Sequence, residues 1–283
     1  VFSRRQFILA AGALAACGGG GSKLNAPPAP AVQRKDILFG YYGDAPGQAA
    51  ETIGHCNLYF SAPWGELSQT VENLKDARKA GFGEVVIAAD ADKGNVPGTT
   101  AFAWAWLFEL RRLGALEGLK VRAFYWRDEP NLENPDAGLK VLSDARVREQ
   151  NASLRAMFAT DFPELGPVEL WTIMADKPDL PGLDDWDAVG GDDYPKGCDV
   201  MADDRLIGRI RRGAKRTILV PSPLFGLNAD PTCFEQFAQA HGDVVAVMPF
   251  IWRDAWGPQR LDGIRSHFSR PAYEALGRRL TGK

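Results

Sequence analysis

The sequence is short of the residues that most often hold metals or run serine chemistry. Its three histidines, His55, His241 and His267, are scattered and none closes a β-branched run, so a His-rich metal site is not expected. No Gly-x-Ser-x-Gly elbow occurs, and Ser222 lies between two prolines with no histidine close to it in sequence. No glycine-rich turn follows the first apolar strand-like run, which removes a dinucleotide-type phosphate cradle, and no cofactor is expected. Basic runs are absent as well. With a formal net charge of −3 over 283 residues, the chain suits neither nucleic acid nor an anionic lipid surface. The Arg211-Arg212, Lys215-Arg216 cluster reads as a solvated helix end. There is no internal repeat and no sign of a second domain.

Long apolar runs are also missing. The longest, Phe7 to Ala16, is about ten residues, where a bilayer span needs roughly 20. It follows Arg4-Arg5, so the two together read as the charged and hydrophobic regions of a signal peptide. The arginine pair resembles the twin-arginine type, and Leu14-Ala15-Ala16-Cys17 resembles a bacterial lipobox. The resemblance implies cleavage before Cys17 and a diacylglycerol thioether on its sulfur. Gly18 stands where an inner-membrane retention signal usually has Asp, which points to the outer membrane of the cell envelope. Loss of Arg4 and Arg5 leaves 31 basic against 36 acidic residues, near −5. The expected layout is a signal peptide over 1–16, a lipidated cysteine with a Gly-, Pro- and Ala-rich linker over 17–35, and a folded domain over 36–283. Membrane contact is expected through the lipid only, and the domain is expected to be a monomer. Of the other cysteines, Cys56 starts an apolar run and reads as a buried thiol. Cys198 and Cys233 fall in loops after consecutive strands; in an oxidising compartment they either pair or remain two separate thiols.

From Asp36 onward, β-branched or aromatic runs alternate with amphipathic stretches. The strands expected are Ile37–Gly43, Asn57–Pro63, Glu84–Ala89, Lys120–Arg127, Val168–Ala175, Ala188–Asp192, Thr217–Pro221 and Val244–Trp252. Helices are expected over Leu67–Ala80, Ala101–Leu113, Ala145–Thr160, Asp204–Arg212, Cys233–Ala240 and Arg270–Leu280, several of them ending on glycine. Eight strands in β-then-α order predict an α/β fold, a single (β/α)8 TIM barrel, with any site at the C-terminal ends of the strands.

Those ends are polar and aromatic. They carry Tyr41, Tyr42 and Asp44 after the first strand, Trp64 after the second, and Asp90 and Asp92 after the third. The fourth ends Tyr125-Trp126-Arg127-Asp128-Glu129-Pro130, the fifth Asp176-Lys177, the sixth Asp192-Asp193-Tyr194-Pro195, and the eighth Trp252-Arg253-Asp254-Ala255-Trp256. Carboxylates among aromatic rings suit a sugar, whose faces stack on rings while acids bind hydroxyls and move protons. Any single Asp here equally suits the cap of the following helix. Asp128-Glu129-Pro130 is the exception, because a cap explains one acid and two adjacent acids repel.

A Glu at this place resembles the acid/base of the clan A glycoside hydrolases, barrels in which Asn-Glu, often followed by Pro, ends the fourth strand. Asp128 replaces that Asn, and the seventh strand ends Val220-Pro221-Ser222-Pro223 with no Glu where that clan keeps its nucleophile. The resemblance implies a glycoside hydrolase acting on a polysaccharide or oligosaccharide, with Glu129 as general acid. Asp192 or Asp193 would activate water across about 6.5–9.5 Å in an inverting reaction, whereas about 5–5.5 Å would suit a nucleophile. Alternatively, Asp128 and Tyr194 would orient a substrate acetamido group, as in the hexosaminidases that this Asp-Glu pair is similar to. Substrate contacts are expected from Tyr41, Asp44, Trp64, Trp126, Trp252 and Asp254. The rival reading is a noncatalytic carbohydrate-binding barrel, kept open by the missing acid on the seventh strand.

Overall fold

The computed structural model describes residues 34, 36–43, 47–61, 66–89, 99–133, 140–193, 199, 202–223, 230–256 and 261–283. The expectations placed on Cys17, Asp44, Trp64, Asp90, Asp92, Tyr194 and Cys198 lie outside these residues. Eight strands run parallel: β1 (Leu38–Phe39), β2 (Leu58–Phe60), β3 (Glu84–Ala88), β4 (Lys120–Tyr125), β5 (Glu169–Ala175), β6 (Ala188–Asp192), β7 (Thr217–Leu219) and β8 (Val244–Val247). Each pairs with its sequence neighbour from β2 round to β8, and β8 pairs with β1. Among the described residues, the seam between β1 and β2 is held at Asn57. The Asn57 N–H donates to the Phe39 carbonyl at 3.1 Å, and the Phe39 N–H donates to Asn57 Oδ1 at 2.8 Å. Gly40 makes this approach possible, since a Cβ there would lie 2.2 Å from the Leu58 carbonyl oxygen. The fold is the expected (β/α)8 TIM barrel.

The helices are α1 (Gln48–Thr52), α2 (Leu67–Ala80), α3 (Thr99–Arg112), α4 (Asp144–Asp161), α5 (Leu206–Arg211), α6 (Thr232–Ala240) and α7 (Arg270–Thr281). Because helices cover the outside, the strands bury both faces and read as continuous apolar runs. One set of side chains fills the barrel interior, among them Phe60, Val86, Ala88, Ala123, Tyr125, Trp171, Ile173, Ile218 and Ala246. The alternate set, including Tyr59, Val85, Ile87, Phe124, Met174, Val189 and Leu219, packs against Leu74, Leu107, Leu154, Phe234 and Tyr273 of the helices. At the N-terminal end of the strands, Glu169 sits between Arg122 at 2.9 Å and Arg216 at 2.8 Å and accepts from Trp171 Nε1 at 2.7 Å.

One β/α unit departs from the pattern. Residues 176–187, between β5 and β6, form turns and no helix, and the 18-residue α4 serves as their support. Asp144 accepts from the Gly182 N–H at 2.8 Å, Asn151 donates to the Asp185 carbonyl at 3.2 Å, and Arg155 pairs with Asp187 at 3.1 Å. Gly182, at φ +61°, passes so close that a Cβ would lie 2.5 Å from Val147 Cγ1. A short antiparallel hairpin, β9 (Ala255–Trp256) with β10 (Leu261–Asp262), follows β8. Cys56 is a buried free thiol. Cys233, in the first turn of α6, is disulfide-bonded, and its partner lies outside the described residues. No helix among the described residues is long and apolar enough to cross a membrane.

Candidate active site

The mouth of the barrel is built on an aromatic floor. Tyr42, Phe60 and Tyr125 meet edge to face, with centroids 5.1 Å (Tyr42–Phe60), 5.3 Å (Phe60–Tyr125) and 6.0 Å (Tyr42–Tyr125) apart, and Phe250 lies 5.6 Å from Tyr42. Tyr42 follows β1 and Tyr125 ends β4, and both rings belong to the interior set. Their hydroxyls lie 3.1 Å apart and converge on one atom. Asp128 Oδ1 accepts from Tyr42 at 2.5 Å and from Tyr125 at 2.6 Å. Burial, with the Asp128 charge adding to it, pushes both phenols well above the ordinary tyrosine value. The two tyrosines therefore remain protonated donors and hold Asp128 in one orientation. Among the described residues, nothing hydrogen-bonds to Asp128 Oδ2, which leaves that oxygen for a ligand.

Glu129 comes next, buried, at φ +46°, the one non-glycine at positive φ among the described residues. That backbone region is sterically costly for a side chain, and more so ahead of a proline. The neighbours hold it there: the Glu129 N–H donates to the Ile173 carbonyl of β5 at 3.0 Å, and its carbonyl accepts from the Leu132 N–H at 2.9 Å. Asn131 locks the same corner, donating to the carbonyls of Ala175 at 2.8 Å and Asp179 at 3.0 Å and accepting from the Ala175 N–H at 2.9 Å. Arg127, fully buried, donates to the Lys140 carbonyl at 3.1 Å, and its own carbonyl accepts from Thr172 at 2.9 Å. The corner after β4 is thus tied to β5 at several points.

Strand parity separates the two aspartates after β6. Val189 and the position of Gly191 face the helices, the latter toward Leu206 and Ile207, whereas Gly190 faces the interior beside Ile173 and Ile218. Asp192 has the interior parity and is half-buried. Asp193 has the outer parity and pairs with Arg205, just before α5, at 3.0 Å. Burial raises the Asp193 carboxyl above the usual aspartate value, and Arg205 opposes the rise. Asp176 is likewise engaged, by Arg209 at 2.6 Å.

Three expected substrate contacts do not reach the mouth. Tyr41 and Trp252 are buried behind the sheet, 4.6 Å apart, with Tyr41 hydrogen-bonded to His55 Nε2 at 3.1 Å and Trp252 Nε1 donating to Glu51 at 2.9 Å. Trp126 stacks on Trp186 at 5.3 Å and donates to Asn151 of α4 at 2.9 Å. Tyr41 and Trp126 have the outward parity, and all three, Trp252 included, pack between sheet and helices, so their expected role as sugar platforms is corrected. Asp254 is exposed beside Arg265 at 3.6 Å. The tyrosines of the floor, Tyr42 and Tyr125, are the functional candidates the sequence reading passed over in favour of Tyr41 and Trp126. The period of two along β4 groups Tyr125 with Ala123 and Trp126 with Phe124, and the packing of the helices on the second pair makes the first the interior one. Among the described residues no group of three or more His, Cys, Asp or Glu is placed to hold a metal.

No family model matches the chain, and no curated protein matches it in sequence. Solved structures do match it in shape. An endo-β1,6-glucanase superposes with a TM-score of 0.52 at 9% identity, over 88% of this chain and 76% of that one. A GH2 β-galacturonidase from Eisenbergiella tayi, bound to galacturonate, gives 0.51 at 13% identity over 89% of this chain and 52% of that one, so this chain spans about half its length. A D-psicose 3-epimerase gives 0.48 at 12% identity over 87% of this chain and 100% of that one. At these identities the likeness shows the barrel fold alone.

Proposed function

We propose that the barrel mouth hydrolyses glycosidic bonds of a polysaccharide or oligosaccharide, with Glu129 as general acid. The observation that carries this reading is the corner after β4. A side chain is held at φ +46° next to a carboxylate that two buried tyrosine hydroxyls immobilise. Backbone held in a costly conformation by several ties concentrates at functional sites. Glu129 gives its proton to the leaving oxygen. Asp192, the carboxylate of interior parity on β6, activates water from across the mouth, which gives inversion. Asp193 is less suited, because its parity turns it to the helix side, toward Arg205. For a substrate bearing an acetamido group, Asp128 Oδ2 orients that group instead, with Tyr194 as the proposed second contact. The loop after β7, which has no acid at Val220-Pro221-Ser222-Pro223, favours these two routes over a nucleophile on that strand. It also supports a second reading, a carbohydrate-binding barrel without turnover.

A digestion screen of polysaccharides and oligosaccharides with the mature chain separates the two. The enzyme reading expects reducing ends to be released. Glu129→Gln should lose about 10²–10⁴ in rate while sugar affinity is kept, since the amide preserves shape and lacks the proton. Glycan binding without release in the wild type favours the second reading, and undiminished turnover in the variant removes Glu129 from the mechanism. The proposed location is the cell envelope, tested directly at Cys17. Mass spectrometry should find the mature chain starting at a diacylglyceryl-modified Cys17, and an unmodified cysteine or a retained Phe7–Ala16 segment contradicts this.

A further inference from the structure

Arg34 is fastened to the barrel at several points. Its backbone N–H donates to Gln239 Oε1 at 2.6 Å, and its carbonyl accepts from Gln239 Nε2 at 3.2 Å. Its guanidinium donates to the carbonyls of Ala238 at 3.1 Å and His241 at 2.6 Å and pairs with Asp36 at 2.9 Å. These carbonyls end α6, so Arg34 caps that helix as cations near a C-terminus do. Arg34 is therefore held against the barrel, ahead of Asp36. In a parallel barrel the helix C-termini and strand N-termini share one face. Arg34, before β1 and at the end of α6, thus leaves the barrel on the face opposite the mouth.

We propose that the membrane-anchored protein stands with this closed face toward the bilayer and its mouth turned away, toward substrate in the surrounding envelope. The proposal rests on the lipobox reading of Cys17 and does not depend on the chemistry at Glu129. A flexible chain as long as the 17 residues that separate Cys17 from Arg34 would have an r.m.s. span of roughly 20–25 Å. The mouth stands about as far again from the exit point, since the 18 residues of α4 rise ~27 Å. Lipid charge is not what orients the barrel. Basic side chains on the closed face are largely paired, as in Arg78–Glu117, Arg111–Glu164, Lys120–Glu84 and Arg211–Asp243.

The test uses the full chain purified with its lipid and reconstituted on phosphatidylcholine vesicles, with and without phosphatidylglycerol. Dye is attached through Glu117→Cys on the closed face or through Phe268→Cys, exposed ahead of the α7 N-terminus on the mouth side. Among the described cysteines, Cys56 is buried and Cys233 is disulfide-bonded, so neither competes for the label. Energy transfer to a headgroup dye should be several-fold greater from position 117 than from 268, alike in both vesicles, and Arg34→Ala should narrow the difference. Equal or reversed transfer overturns the orientation, and an unchanged difference in Arg34→Ala overturns the role of the clamp. A chain carrying no lipid on Cys17 overturns the proposal through its premise, and the mass of the N-terminal peptide tells that failure from a wrong orientation.

Discussion

At Glu129 the cost of the site is visible in one backbone angle. A non-glycine residue at φ +46° costs on the order of 1–3 kcal/mol, and the ties to Ile173, Leu132 and Asn131 offset it. Glu129→Gly should therefore raise the unfolding free energy by about 1 kcal/mol in urea titration while turnover disappears. A destabilised glycine variant would mean that the corner is not strained. Tyr42 and Tyr125 share one acceptor, so their contributions are coupled. Each single change to Phe removes one of two hydroxyls from Asp128 Oδ1, and the double change leaves a half-buried carboxylate without them. A double-mutant cycle in thermal or chemical unfolding should show non-additivity of about 0.5–3 kcal/mol. Strict additivity would separate the two contacts.

At the level of elements, the His55 turn between α1 and β2 makes stability depend on pH. His55 is enclosed by Phe39, Tyr41 and Trp252, with Glu274, Arg270, Arg278 and Lys283 as the charges that act on it. Burial lowers its pKa to about 4 from 6.5. The folded state thus binds fewer protons than the unfolded state between these values. The stability contributed by neutral His55 is complete above about pH 6.5 and is lost as pH falls toward 4. His55→Phe should flatten the fall of Tm in that window, and an unchanged slope would assign the loss to other groups. Most helices and all eight strands were legible in the sequence, because a parallel barrel writes its strands as apolar runs and its helices as amphipathic ones. The strand ends were not. Aromatic character continues through Tyr41-Tyr42, Trp126 and Met248–Trp252 beyond the last ladder pair, so composition alone extends β1, β4 and β8 too far. Parity failed for a related reason. With both strand faces buried, Tyr125 and Trp126 look equally internal from sequence, and only the packing of α4 on Trp126 decides between them.

For the whole molecule, the missing helix between β5 and β6 bears directly on the site. The turns that replace it rest on α4 through Gly182, Asp185 and Asp187 and on Trp126 through Trp186, while Asn131 grips Ala175 and Asp179 from the other side. The corner after β4 and the turns after β5 are therefore tied together. Trp126→Ala, which removes the stack on Trp186, should cost about 3–5 kcal/mol in denaturant unfolding, and a loss under 1 kcal/mol would show that the layer repacks. The fold was readable as a barrel from its alternation, and the acidic pair at its fourth strand was readable as a candidate. The orientation of that pair depends on Tyr42, which lies 86 residues away in sequence from Asp128, a distance no local pattern spans. The most direct measurement of the central claim is a crystal structure of Glu129→Gln with a bound oligosaccharide. The account predicts a glycosidic oxygen within about 2.6–3.2 Å of the residue 129 side chain, above the Tyr42–Tyr125 floor, with Asp192 on the opposite side of the sugar. A sugar seated away from the mouth, or residue 129 turned from it toward the helices, would contradict the account.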